Sequence, residues 1–86
     1  MIDKNILTNE SDIKLKALDR YLSLLGSMLE KTVKYNDDFI DVGGHSMIAV
    51  LLNEKIKNEF NLILSMEKLF NSTLYETFIE STYINK

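Results

Sequence analysis

The chain of 86 residues contains no proline and only three glycines, Gly26, Gly43 and Gly44. Tight turns between strands draw heavily on these two residue types, so a strand-rich fold is poorly supported and helices are favoured. The apolar spacing agrees. Leu18, Leu22, Leu25 and Leu29 recur at three- and four-residue steps, with Tyr21 and Met28 widening the stripe. This predicts a first helix that opens near Ser11 as N-cap, places Asp12 against the positive end of the helix dipole, and fades after Leu29 or Val33. Gly26 lies inside it at a cost of about 1 kcal/mol relative to Ala, and marks either a close packing contact or a weak helix.

A second helix is predicted from Ser46 to Phe60, with Asn61 in the left-handed cap position. Residues 62–65 read as an apolar connector, Ser65-Met66-Glu67 opens a short helix through Phe70, and Thr73 with Glu76 forms a capping box for a last helix to about Tyr83. The expected fold is all-α: a four-helix bundle of three sizeable helices and one short one, with a long loop between the first and second. It occupies residues 11–83, with a flexible N-terminal tail over 1–10 and a C-terminal tail over 84–86. The loop, residues 31–45, is long for so small a domain, which points to function or to pinning by its own apolar residues. Val33, Phe39, Ile40 and Val42 can pin it, and Phe39 is the expected core anchor.

Composition removes most other classes. A chain this short buries only about 64% of its unfolded surface, leaving little material to wall off a pocket. It has no Cys, hence no disulfide, no thiolate metal site and no Cys nucleophile, which fits a reducing, cytoplasmic setting. Its one His cannot build a His-based metal site. A net charge of −3, with a single Arg and scattered Lys, argues against nucleic acid as a partner. The longest apolar run, Met47 to Leu52, is far short of the roughly 20 residues that span a bilayer, so no membrane partner is expected. Asp37, Asp38 and Asp41 lack the ligand order of a calcium loop and read as a solvated acidic loop. Met28, Met47 and Met66 are spread over different elements and read as packing residues.

The second helix carries an anomaly. On a helical wheel Ile48, Ala49, Leu52, Ile56 and Phe60 share one arc of about 120°, the core stripe, whereas Met47, Val50 and Leu51 fall on the face that should meet water. Either the long loop or the last helix covers them, or they form a partner-docking patch beside the helix N-terminus. Gly43-Gly44-His45-Ser46 leads into that same turn. Two glycines permit unusual backbone conformations and close approach by another molecule. Ser46 is then a plain N-cap or a point of phosphate attachment, since a helix N-terminus favours an anion. A hydrolase is not supported: the run lacks the G-x-S-x-G elbow, and Asp41, His45 and Ser46 have neither a scaffold nor oxyanion donors to set triad geometry.

The segment Asp38-Phe39-Ile40-Asp41-Val42-Gly43-Gly44-His45-Ser46-Met47 resembles the attachment motif of peptidyl carrier proteins, the thiolation domains of nonribosomal peptide synthetases, within the acyl carrier protein-like superfamily. The resemblance extends over roughly residues 13 to 82: Ala49, Leu52, Ile56 and Phe60 match the family's second helix, and Leu69, Phe70 and Thr73 its third and the start of its fourth. Ile40 stands in place of a second Phe, Val42 and Met47 in place of Leu, Asn61 in place of a common Gly, Ser72 where Pro often precedes Thr73, and Leu51 where a polar or basic residue is common.

The resemblance implies a non-catalytic carrier domain over residues 11–83. It implies that Ser46, within the attachment loop Gly43, Gly44 and His45, receives 4′-phosphopantetheine from coenzyme A. A separate phosphopantetheinyl transferase would install the arm, an adenylating enzyme would load its thiol with an aminoacyl or other acyl group as a thioester, and condensation, tailoring or thioesterase enzymes would follow. Met47, Val50 and Leu51 would then form the docking patch. An acyl carrier of fatty-acid or polyketide synthesis is the nearest rival. Its second helix is usually strongly acidic, whereas here Glu54 and Glu59 are balanced by Lys55 and Lys57. The rival from another class is an unmodified helical adaptor that uses its apolar patch to bind protein. A free-standing, monomeric carrier is expected.

Overall fold

The computed structural model describes residues 10–84. The expected N-terminal tail therefore lies outside the described residues except for Glu10, and the expected C-terminal tail except for Ile84. Helix α1 runs over Glu10–Leu29. It begins just before Ser11, which is thus inside the helix and not its cap; helix ends are loosely fixed to within a residue or two. Ala17, Leu18, Tyr21 and Leu25 are fully buried, while Leu22 and Leu29 are partly buried and Met28 is 46% exposed. The buried stripe is thus centred on Tyr21 and not on the leucine row. The Tyr21 ring meets Phe78 edge-on, with centroids 5.2 Å apart, and its hydroxyl donates to Asn53 Oδ1 at 3.0 Å.

The end of α1 accounts for Gly26. Glu30 adopts a left-handed conformation (φ 57°) and the Lys31 N–H reaches back to the Gly26 carbonyl at 3.0 Å, a Schellman-type closure. A Cβ on Gly26 would sit 2.7 Å from the Lys31 carbonyl oxygen, so this glycine marks close packing.

Helix α2 spans Ser46–Phe60 as predicted and buries Ile48, Ala49, Leu52 and Ile56 against the core. Asn61 ends it at φ 59°, its N–H donating to the Lys57 carbonyl. The next residues are not a plain connector. Leu62–Ile63 (β1) pairs antiparallel with Thr82–Tyr83 (β2), Leu62 opposite Tyr83 and Ile63 opposite Thr82, and the Ile84 N–H extends the pairing to the Asn61 carbonyl. Helix α3, Met66–Asn71, is capped by Ser65, whose hydroxyl accepts from the Lys68 N–H. Helix α4 occupies only Leu74–Ile79, with Thr73 capping through the Glu76 N–H. It stops well short of Tyr83, because the Lys14 ammonium takes the Ile79 carbonyl at 2.9 Å and the Ser81 hydroxyl and N–H both turn back onto the Phe78 carbonyl. Thr82 and Tyr83, both strand-favouring, then enter the ribbon. Among the described residues the four-helix bundle thus has two long and two six-residue helices instead of three long and one short. Helix α1 packs against both α2 and α4, and the core lies among them.

Tyr21 carries a testable consequence. Burial disfavours its phenolate and holds its proton well above the ordinary phenol value of 10.0. The unfolded chain releases that proton near pH 10 and the folded chain retains it, so stability falls as pH rises past about 10. Tyr21→Phe, which leaves Asn53 Oδ1 without its donor, should lower stability at neutral pH by about 1 kcal/mol. It should also flatten the alkaline decline; denaturant melts at pH 7 and at about pH 11 measure both effects.

Candidate functional site

The loop that delivers Ser46 is built from the far end inward. The Tyr35 hydroxyl donates to Asp19 Oδ1 of α1 at 2.9 Å. The Tyr35 and Asp37 carbonyls accept the N–H groups of Tyr75 and Leu74, each at 3.0 Å. Those N–H groups belong to the first turn of α4, where no intrahelical partner exists, so the loop caps α4 and is held by it. Asp37 steadies its own turn by accepting from the Lys34 N–H at 2.9 Å.

Phe39 then enters the core with no exposed surface, its ring 5.8 Å from that of Phe70. The backbone coils around it: the N–H groups of Val42, Gly43 and Gly44 donate to the carbonyls of Asp38, Ile40 and Phe39 at 3.2, 3.0 and 2.9 Å. The two glycines serve different ends. Gly43 has φ 107°, closed in practice to side-chain-bearing residues, though space around it is ample. Gly44 has an ordinary conformation but no space: a Cβ there would lie 2.5–2.7 Å from three atoms of the Phe39 ring. Val33 and Val42 are buried and help pin the loop, as expected, but Ile40 is 49% exposed and does not. Its carbonyl is tied to the Gly43 N–H, which fixes the turn with Ile40 outward.

His45 is the N-cap of α2 in extended conformation (φ −145°, ψ 174°), with no side-chain capping bond, and its carbonyl accepts the first helical bond from Ala49 at 3.0 Å. Ser46 is therefore the first helical residue and is exposed; the reading of Ser46 as a plain N-cap does not hold. No acidic side chain occupies the first turn, so the positive end of the helix dipole has no charged neighbour there. Asp41, His45 and Ser46 are all exposed on the surface.

Met47, Val50 and Leu51 are 69%, 60% and 54% exposed. Neither the loop nor α4 covers them; with Ser46 they line a shallow, mainly apolar depression. Met28 and Met66 are also exposed, so these methionines are not the packing residues expected. A second depression, lined by Val50, Ile63 and Met66 among others, adjoins the first. Sequence reasoning missed Ile63 because its exposure follows from the β1–β2 ribbon, which buries Leu62 and leaves Ile63 outward. It also left the two glycines undistinguished, since one is required by torsion and the other by a ring five residues back. Among the described residues no helix is long and apolar enough to cross a membrane, and no group of three acidic, His or Cys residues could hold a metal.

The fold is a small, mostly helical bundle that presents an exposed serine at the start of α2. Compared with known families, residues 22–77 match the phosphopantetheine attachment site, and the chain belongs to that family, whose members carry a covalently attached 4′-phosphopantetheine. No curated protein and no solved structure gives a significant match. The residues present fit the group: a hydroxyl side chain outside the core, a first turn without carboxylates to repel a phosphodiester, and an apolar ledge beside it. Carrier domains of this family are generally non-catalytic and work through a transferase and partner enzymes.

The Phe39–Gly44 contact can be tested by substitution. Gly44→Ala should cost about 1–3 kcal/mol through overpacking. Phe39→Leu, which vacates ring volume, should make the double variant less destabilised than the sum of the singles by at least about 0.5 kcal/mol. Strict additivity in denaturant melts would mean that ring and glycine do not touch.

Proposed function

We propose that Ser46 is the residue bearing 4′-phosphopantetheine and that the chain is a peptidyl-type carrier, moving an aminoacyl or other acyl group between a loading enzyme and its downstream partners. The observation that carries this reading is the exposed Ser46 on the first turn of α2, reached from the Phe39–Gly44 lock and bordered by Met47, Val50 and Leu51. When bound, the group supplies a terminal thiol that holds cargo as a thioester, chemistry unavailable to a chain without Cys. Gly43 and Gly44 shape the approach, His45 opens the helix, and the bare N-terminal turn accommodates the phosphodiester charge. The tether raises the effective concentration of cargo at each partner. The balance of Glu54 and Glu59 against Lys55 and Lys57 favours the peptidyl type over acidic fatty-acid and polyketide carriers. A Cys-free chain suits the reducing cytoplasm.

Incubation with coenzyme A and a broad-specificity phosphopantetheinyl transferase should add the mass of one phosphopantetheine to the wild type and none to Ser46→Ala. No gain on the wild type would assign the chain to unmodified adaptors, and an equal gain on the variant would move the site elsewhere. The modified protein should then accept an aminoacyl group from an adenylating enzyme with ATP. Loading only from an acyl-coenzyme A would assign it to fatty-acid or polyketide synthesis.

A further inference from the structure

With no Cys in the sequence, the oxidisable sulfur of this chain lies in its four methionines, Met1, Met28, Met47 and Met66. Met1 falls outside the described residues. The other three stand in different surroundings. Met66 is 36% exposed, and its sulfur accepts a hydrogen bond from the Asn53 amide at 3.3 Å, which draws on the lone pair that an oxidant must meet. Met28 is 46% exposed near the end of α1. Met47 is 69% exposed, directly follows Ser46 and lines the same depression with Val50 and Leu51. Oxidation needs access to sulfur, so Met47 is the methionine that a dissolved peroxide reaches first. We infer that Met47 is a reversible modification site: hydrogen peroxide converts it to the sulfoxide, and in that form it keeps the transferase from Ser46. The inference rests on Ser46 being the attachment residue. In the step a sulfur lone pair attacks one peroxide oxygen, the S–O bond forms and the O–O bond breaks. The sulfur loses two electrons to the peroxide, and the proton of the transferred oxygen passes to the departing hydroxide, which leaves as water. A dithiol reductant reverses the change, becoming a disulfide and releasing the oxygen as water. The sulfoxide is a polar hydrogen-bond acceptor where a flexible apolar side chain stood. An enzyme that brings coenzyme A to Ser46 covers the side chain beside it, and an S–O group covered without a donor is unfavourable.

The test treats the full chain, before any phosphopantetheine is attached, with graded hydrogen peroxide and maps the added oxygen by peptide mass spectrometry. Initial rates of phosphopantetheine transfer then follow by intact mass, with coenzyme A, a broad-specificity transferase and varied carrier concentration. Met47 should oxidise at least about threefold faster than Met28, with Met66 slowest. The chain oxidised at Met47 should keep its helicity and melting, while its KM for transfer rises about five- to thirtyfold. Methionine sulfoxide reductases of both stereospecificities, supplied with a dithiol, should restore the KM. Each variant is compared with its own untreated rate: peroxide should change Met47→Leu by less than about twofold and Met28→Leu as much as the wild type. Oxidation of Met28 or Met66 ahead of Met47 overturns the inference. An unchanged KM with Met47 oxidised also overturns it and leaves Ser46 standing, as does a treated Met47→Leu chain that loses transfer to the same extent as the wild type. Unfolding on oxidation of Met47 overturns it too, by placing that side chain in the fold. An untreated wild type that takes up no phosphopantetheine removes the Ser46 reading itself.

Discussion

The benzene ring of Phe39 occupies the space where residue 44 would carry a side chain, and the rest of the site is arranged around that contact. A helix with an apolar stripe can slide by a turn and still bury similar residues, so the stripe of α2 alone does not fix where its first residue stands. The ring does. With Phe39 fully buried and its carbonyl bonded to the Gly44 N–H, the backbone at Gly44 is pressed onto the core, and the helix must emerge two residues later. Gly43 turns the chain toward that point through a positive φ. Substituting either glycine disturbs the same outcome for a different reason: steric at Gly44, torsional at Gly43.

This lock is connected to the four described helices by a chain of helix-end bonds and side-chain contacts. A six-residue helix is too short to persist by itself, and α4 is supported at its start by the Tyr35 and Asp37 carbonyls and at its end by Lys14. Its Phe78 meets Tyr21 of α1, and Tyr21 reaches Asn53 of α2, whose amide in turn donates to the Met66 sulfur of α3 at 3.3 Å. The long loop is therefore held at the start of α4 and against α1, and its length serves to carry the chain from α1 over the start of α4 and back to Ser46.

The bounds of α2, the left-handed Asn61 and the caps at Ser65 and Thr73 were legible because each depends on local chemistry: helical spacing, a tolerated positive φ, and hydroxyls beside unsatisfied N–H groups. The exposed face of Met47, Val50 and Leu51 was legible as an inconsistency between apolar character and wheel position. What escaped depends on partners distant in sequence. Two-residue strands carry no readable alternation, and β1 exists because Ser81 and Lys14 end α4 early enough for Thr82 and Tyr83 to meet Leu62 and Ile63. Ile40 looked like an anchor on hydrophobicity alone, yet one turn of loop cannot send both Phe39 and Ile40 inward. Met28 lay on the leucine stripe until Tyr21, reaching for Asn53, centred the buried face elsewhere.

The polarity of the site also bears on why a small domain tolerates such an apolar face. A serine hydroxyl is a weak nucleophile without a neighbouring base, and Ser46 stands exposed on the first turn of α2. On the proposed function the base, the coenzyme A and the exclusion of water must all come from the transferase, so reaction depends on a docked complex and not on the carrier alone. Apolar side chains at the head of α2 are useless to the core, which is closed by Ile48, Ala49 and Leu52 on the opposite face. Their exposure carries a risk of aggregation. That risk is offset only if the same face, beside the acceptor, is what each successive enzyme covers.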